Sequence, residues 1–129
     1  MYEMKPNYMT GIELIDNEHK RLFEIAEETY QLLHNDFIAD KYDAVQDLIS
    51  ELIDYTKTHF ADEERYMEEI QYRRILSQKV MHKEFIEKLE SIDINEVDQN
   101  PEKTIDDLLK FLTDWLVEHI LHMDKLIGA

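Results

Sequence analysis

The sequence predicts an all-α fold: a single-domain, antiparallel, up-and-down four-helix bundle with an N-terminal arm, spanning residues 1–129. Three observations predict it. Only two Gly and two Pro occur in 129 residues, which favours long uninterrupted helices over a turn-rich β fold. Apolar residues recur at helical spacing in four separate stretches. The connections between those stretches are short, so successive helices lie side by side and run in opposite directions.

The arm covers residues 1–12 and contains Pro6, Asn7 and the Thr10-Gly11 pair. Its aromatic and Met side chains suit packing over one end of the bundle. The first helix is expected over about 16–37, with Ile15, His19, Leu22, Phe23, Ala26, Tyr30, Leu33 and Phe37 at helical spacing. A break near Asn35-Asp36 leads to the second, about 42–66, striped by Leu48, Leu52, Tyr55, His59, Glu63 and Tyr66. The third, about 72–89, carries Ile75, Gln78, His82, Phe85, Ile86 and Leu89 on one side. A polar linker, SIDINEVDQN, ends at Asn100-Pro101, an N-cap followed by proline at the first helical position. The fourth helix, about 101–127, aligns Ile105, Leu108, Leu112, Trp115, Leu116, His119, Met123 and Leu126.

Composition narrows the function classes. With no cysteine, a disulfide scaffold, a thiolate zinc site and an iron-sulfur cluster are excluded. Thirty acidic against 14 basic residues give a net charge of −16, which repels phosphate backbones and anionic lipid. No apolar run approaches the ~20 residues that span a bilayer, and MYEMKPNYM lacks a basic region followed by an apolar core. The expectation is a cytoplasmic monomer that binds neither nucleic acid nor membrane. Acidic runs such as ADEER alternate with stripe residues and read as solvated faces.

The stripes themselves are interrupted by polar side chains of metal-ligand type: His19; His59 with Glu63; Gln78 with His82; and His119. At about 100° per residue, partners four apart are offset by only some 40°, so His59 and Glu63 share a face, as do Gln78 and His82. Asp124, five after His119, is offset by roughly 140° and falls outside the stripe. A lone histidine on an apolar face is more often a packed core residue than a ligand. Four helices each centring one is harder to explain by packing, because neutral imidazoles need donors and acceptors and charged ones repel. A buried metal answers both problems. Sulfur-free imidazole and carboxylate donors suit iron, zinc, manganese or copper, and the number of donors exceeds what one tetrahedral ion takes. Two bridged metals use them better, and octahedral, imidazole-rich ligation points to iron.

The stretches TGIELIDNEHKRL (Thr10–Leu22), HFADE (His59–Glu63), HKEF (His82–Phe85) and WLVEHILHMD (Trp115–Asp124) resemble, in order, the successive motifs of bacterial hemerythrins. The resemblance covers nearly the whole chain. It implies two iron ions bridged by Glu63, Asp124 and a solvent-derived oxo or hydroxo group. His19 and His59 would hold the iron that keeps a position open for O2, and His82 and His119 the fully coordinated one. O2 would be bound at the open iron, that of His19 and His59, as hydroperoxide and released by reversal, behind an apolar wall of Trp115, Leu116 and Ile120. The implied function is that of an oxygen carrier, store or scavenger.

One ligand departs from the family's pattern: Gln78 stands where a His is usual. Three outcomes are open, namely coordination through the amide oxygen, water in its place, or a weakly held second iron. A purely structural role is the fourth, with the amide hydrogen-bonded to a neighbour such as Lys79 or to another helix's backbone. The working expectation is that two irons still bind, the second more accessible and the oxygenated state shorter-lived. An altered iron also opens an enzyme alternative, reduction of peroxide, NO or O2, and a sensory module is the third class. A ferritin-like oxidase would use Glu-x-x-His pairs, and none occurs in the sequence. His34 and His122 read as structural or exposed, with His122 able at best to approach the centre from behind; Tyr30, Tyr55 and Tyr66 read as core filling.

Overall fold

The computed structural model describes residues 2–35, 42–91 and 101–128. Its long helices are α1 (Glu13–Leu33), α2 (Tyr42–Glu69), α3 (Ile75–Glu90) and α4 (Pro101–His119). A 3-10 turn, Pro6–Tyr8, lies in the arm, and α4 continues through a π-helical turn, Ile120–Asp124, into α5 (Lys125–Ile127). No strand occurs among the described residues. The expected helix end at Phe37, the break at Asp36, residues 92–100 of the polar linker and the Asn100 cap lie outside them.

Side-chain pairs give the direction of each helix. Glu18 and Arg21 of α1 meet His59 and Glu51 of α2, so these two run antiparallel. Lys57 and Glu68 of α2 pair with Glu90 and Lys79 of α3. Phe85 of α3 stacks on Trp115 of α4, while Lys88 lies over Phe111. His34, just past α1, pairs with Glu102 and Asp106 at the start of α4. The result is the antiparallel four-helix bundle that the sequence predicts. Its core includes Ile15, Leu22, Ile25 and Leu33 of α1, Val45, Ile49, Leu52 and Met67 of α2, and Ile105, Leu109 and Leu112 of α4. Truncating one such Leu or Ile to Ala costs about 2–5 kcal/mol. Three buried threonines, Thr29, Thr56 and Thr113, satisfy their hydroxyls on the carbonyls four residues back. Tyr30, Tyr55 and Tyr66 are only half-buried, and on α2 the inward positions between the site residues go to Thr56, Phe60 and Met67.

Three boundaries differ from expectation for local reasons. Helix α1 begins at Glu13 rather than near Asp16, because Asp16 folds its carboxylate back over the turn before the helix. It accepts from Thr10 N (2.7 Å), Thr10 Oγ1 (2.7 Å) and Gly11 N (3.0 Å), which satisfies donors ahead of a helix whose N-cap, Ile12, has no side-chain bond to give. Gly11 supplies the positive φ of 87° that this turn needs. Helix α2 runs on to Glu69 and α3 starts only at Ile75. Between them Gln71 adopts φ 54°, with Gln71 N bonded to Glu68 O and Tyr72 N to Met67 O. That is a Schellman closure, and it removes Tyr72 from the next helix.

The fourth helix shows the largest difference. The α-helical stripe predicts His119, Met123 and Leu126 on one face. Instead Asp124 and Ile127 are buried, Met123 is half-buried and Leu126 is 43% exposed. The π turn accommodates one extra residue, so every inward position after it moves on by one. The arm packs against this segment: Lys125 Nζ donates to Asn7 O at 3.0 Å, and a Cβ on Gly128 would collide with Thr10 O.

Candidate metal centre

Each helix delivers part of one buried cluster. His19 comes from α1, His59 and Glu63 from α2, Gln78 and His82 from α3, His119 from the end of α4, and Asp124 from the end of the π turn. The structure brings all seven sequence-predicted residues together, none more than 3% exposed. Asp124 reaches the cluster because a π turn stacks residues five apart, so its carboxylate follows the His119 ring on the same face. Extrapolation at 100° per residue could not have found it.

The donor atoms divide into two groups, His19, His59, Glu63 and Asp124 on one side and Glu63, His82, His119 and Asp124 on the other. Within each group the atoms lie within 4.8 Å of one another. Both carboxylates belong to both groups, and each splits its oxygens between them. Glu63 Oε2 faces His59 Nε2 at 3.2 Å and His19 Nε2 at 3.7 Å, whereas Oε1 faces His82 Nε2 at 3.2 Å. Asp124 Oδ2 faces His19 Nε2 at 3.1 Å, whereas Oδ1 faces His119 Nε2 at 3.2 Å. His82 Nε2 and His119 Nε2 are themselves 3.2 Å apart. Such spacing matches adjacent donors around a six-coordinate ion, which at ~2.1 Å from the ion lie ~3.0 Å from each other.

The polar satisfaction of the cluster fits a cation on each side. His19 Nε2, His59 Nε2, both Glu63 oxygens and Asp124 Oδ2 are buried without a hydrogen-bond partner of acceptable geometry, an arrangement protein interiors avoid unless something else satisfies the groups. Two carboxylates at the middle offset positive charge, and imidazole with carboxylate is a donor set for iron and its neighbours.

Charge coupling within the cluster is strong. Burial opposes the imidazolium of His59, yet the Glu18 and Glu63 carboxylates beside it push its pKa up to about 10. Burial likewise opposes the charge on His19, and Asp124 and Glu63 raise its pKa regardless. For Glu63 burial favours the neutral acid, but the His19, His59 and His82 imidazoles that face its oxygens hold its carboxyl well below the usual range. These groups answer one another as acids and bases in the absence of metal, and a cation would replace their protons.

Around the donors stand residues that the sequence reading passed over. Glu18, 7% exposed, receives His59 Nδ1 at 3.1 Å, and Glu64 receives His82 Nδ1 at 3.4 Å. Each fixes the tautomer that leaves Nε2 free to face the centre. Their one sequence signal is adjacency: Glu18 precedes His19 and Glu64 follows Glu63. Two rings are clamped by aromatic stacking, His82 on Phe60 (3.9 Å, 2°) and His119 on Trp115 (4.5 Å, 11°). Of the expected apolar wall, Leu116 and Ile120 are buried, and Trp115 is half-buried between Phe85 and His119.

Gln78 is fully buried and bonds neither Lys79 nor any backbone through its side chain. Its Nε2 donates to Asp124 Oδ1 at 3.1 Å, and its Oε1 has no partner. The remaining histidines stay outside. His34 joins α1 to α4, as above, and His122 is exposed and paired with Glu118 at 3.2 Å, facing away from the cluster. A cleft of about 1030 Å³ between the arm and α1 is lined by none of the seven residues, whereas a second of about 390 Å³, between α2 and α3, reaches His82 beside Phe60 and Glu64.

Comparison with known proteins agrees with this geometry. A family model described as the hemerythrin HHE cation-binding domain matches residues 10–129. A bacteriohemerythrin of Clostridium acetobutylicum is 44% identical over 125 residues, covering 97% of each chain. One from Pseudomonas aeruginosa strain PAO1 is 36% identical over 115 residues, 89% of this chain and 71% of its own. Myohemerythrin-1 of Phascolopsis gouldii is 36% identical over 110 residues, covering 85% and 77%.

Proposed function

The chain belongs to the hemerythrin family, and from that premise we propose that it binds O2 reversibly at a pair of iron ions held between its four helices. The observation that carries this reading is the division of the two carboxylates: Glu63 turns one oxygen to His19 and His59 and the other to His82, and Asp124 turns one to His19 and the other to His119. The paired irons, when bound, supply the electrons that hold O2.

The chain's own groups do the rest. His19 and His59 would hold one ion and His82 and His119 the other, through the Nε2 atoms that face the centre. Glu63 and Asp124, each with one oxygen toward either side, would serve both ions, and their two negative charges would compensate them inside a low-dielectric core. Glu18 and Glu64 accept Nδ1–H from His59 and His82 and so keep those rings in the binding tautomer. Leu116 and Ile120 exclude water from the centre, which favours release of O2 intact over hydrolytic loss. Trp115 holds the His119 ring by stacking. The charge of −16 argues against a nucleic-acid partner.

The test is spectroscopic. Protein loaded with ferrous iron without air, mixed with O2 and then degassed, should form a coloured species that bleaches as O2 is removed. One-way oxidation with no bleaching contradicts reversible binding.

A further inference from the structure

We propose that Gln78 is itself a metal ligand, through Oε1, completing the donor set on the His82 and His119 side; the inference rests on the two-metal reading above. Four donors on that side already form a chain of near-equal steps. Glu63 Oε1 is 3.2 Å from His82 Nε2, which is 3.2 Å from His119 Nε2, which is 3.2 Å from Asp124 Oδ1. The tip of the Gln78 amide continues it, 3.1 Å from Asp124 Oδ1. The first four residues offer donor atoms that all lie within 4.8 Å of one another, as donors around one ion do, and the Gln78 amide stands beside the last of them.

The amide nitrogen occupies the fifth position in the structure, and the oxygen lies unpartnered in the core. That orientation is the favourable one when Asp124 is the only charge nearby, since N–H donates and a carboxylate accepts. A half-turn about the last side-chain torsion exchanges the two atoms within the same volume. A cation beside Asp124 Oδ1 reverses the preference. The N–H end of the amide dipole points its positive pole at the ion and has no lone pair to give, whereas the carbonyl oxygen has two. Metal binding therefore drives the rotation and satisfies the stranded oxygen.

The replacement also evens out the nitrogen donors. Each side then has two imidazoles and one oxygen from each shared carboxylate, and Gln78 adds an uncharged oxygen to one side alone. Amide oxygen is a harder and weaker donor than imidazole, so the second ion is the more weakly held of the two.

The test is a crystal structure of the whole protein loaded with Mn(II) without air, with Mn(II) titrations of wild type, Gln78→Leu and Gln78→His. The proposal expects two ions per chain and Gln78 Oε1 at about 2.1 Å from the ion on the His82 side. It also expects the second ion to be bound more than tenfold more weakly by Gln78→Leu and retained by Gln78→His. Two ions with the amide still donating to Asp124 and a solvent molecule in the fifth position overturn the Gln78 assignment alone. So does a second ion taken by Gln78→His but not by wild type. If neither wild type nor Gln78→His binds two ions, the two-metal reading fails and the inference with it.

Discussion

His119 and Asp124 stand five residues apart in sequence, yet His119 Nε2 and Asp124 Oδ1 are 3.2 Å apart, because the chain between them makes a π-helical turn. An α-helix would set those side chains roughly 140° apart. The extra residue thus turns a carboxylate toward the centre and carries Ile127 into the core with it.

Shortening and lengthening that turn are therefore expected to have unequal effects. Deleting exposed His122 leaves His119 and Asp124 four apart, in register on an α-helix, and metal affinity should stay within about tenfold of wild type. Inserting one Ala after His122 rotates Asp124 off the face and removes a donor shared by both groups. Mn(II) titration of the two variants checks this; equal affinities contradict the role given to the turn.

Orientation of the imidazoles supplies a graded prediction. Glu18→Gln removes a nearly buried carboxylate 3.1 Å from His59 Nδ1, and a loss of about 10–100-fold in metal affinity is expected. Glu64→Gln acts through a longer contact of 3.4 Å at a more exposed side chain, and the loss should be smaller. Isothermal titration of both against wild type reads the order, and the reverse order counts against it.

These two carboxylates also mark how far the sequence is legible. Helical spacing finds His19, His59, Glu63, Gln78, His82 and His119, since all lie on ordinary α-helical faces. Asp124 came only through resemblance, because one π turn breaks the angular count from which the face is read. Glu18 and Glu64 carry no periodic signal, as their role depends on which helix lies opposite. The same kind of count places Tyr55 and Tyr66 inward, but both are half-buried and the interior of α2 runs through Thr56, Phe60 and Met67.

Acidity follows from the cluster in the metal-free protein. The His59 pKa is raised from 6.5 to about 10. A group raised on folding stabilises fully below its unfolded value and loses that contribution as pH climbs through its folded one. Glu63 is lowered, so its contribution is present above about 4.5 and lost as pH falls. The melting temperature without metal should therefore be highest between about pH 4.5 and 6.5 and decline on either side. Bound metal reverses the alkaline limb, because imidazoles must be neutral to ligate. Thermal melts in a chelator across pH 4 to 10 test this; a melting temperature that rises from pH 6.5 to 9 goes against it.

Away from the centre, Gln71 pays a conformational cost at φ 54° in the closure of α2. Gln71→Gly adopts that backbone freely and should stabilise the fold by about 0.5–1 kcal/mol in urea unfolding, with metal binding unchanged. Destabilisation would show that the Gln71 side chain matters more than its backbone.

The central claim is a pair of irons sharing Glu63 and Asp124, and counting iron while reading its magnetism tests it most directly. Protein loaded with iron and then oxidised should contain two irons per chain, coupled through the bridge and silent in conventional EPR. One iron per chain, with the EPR signal of an isolated ferric ion, would contradict the account.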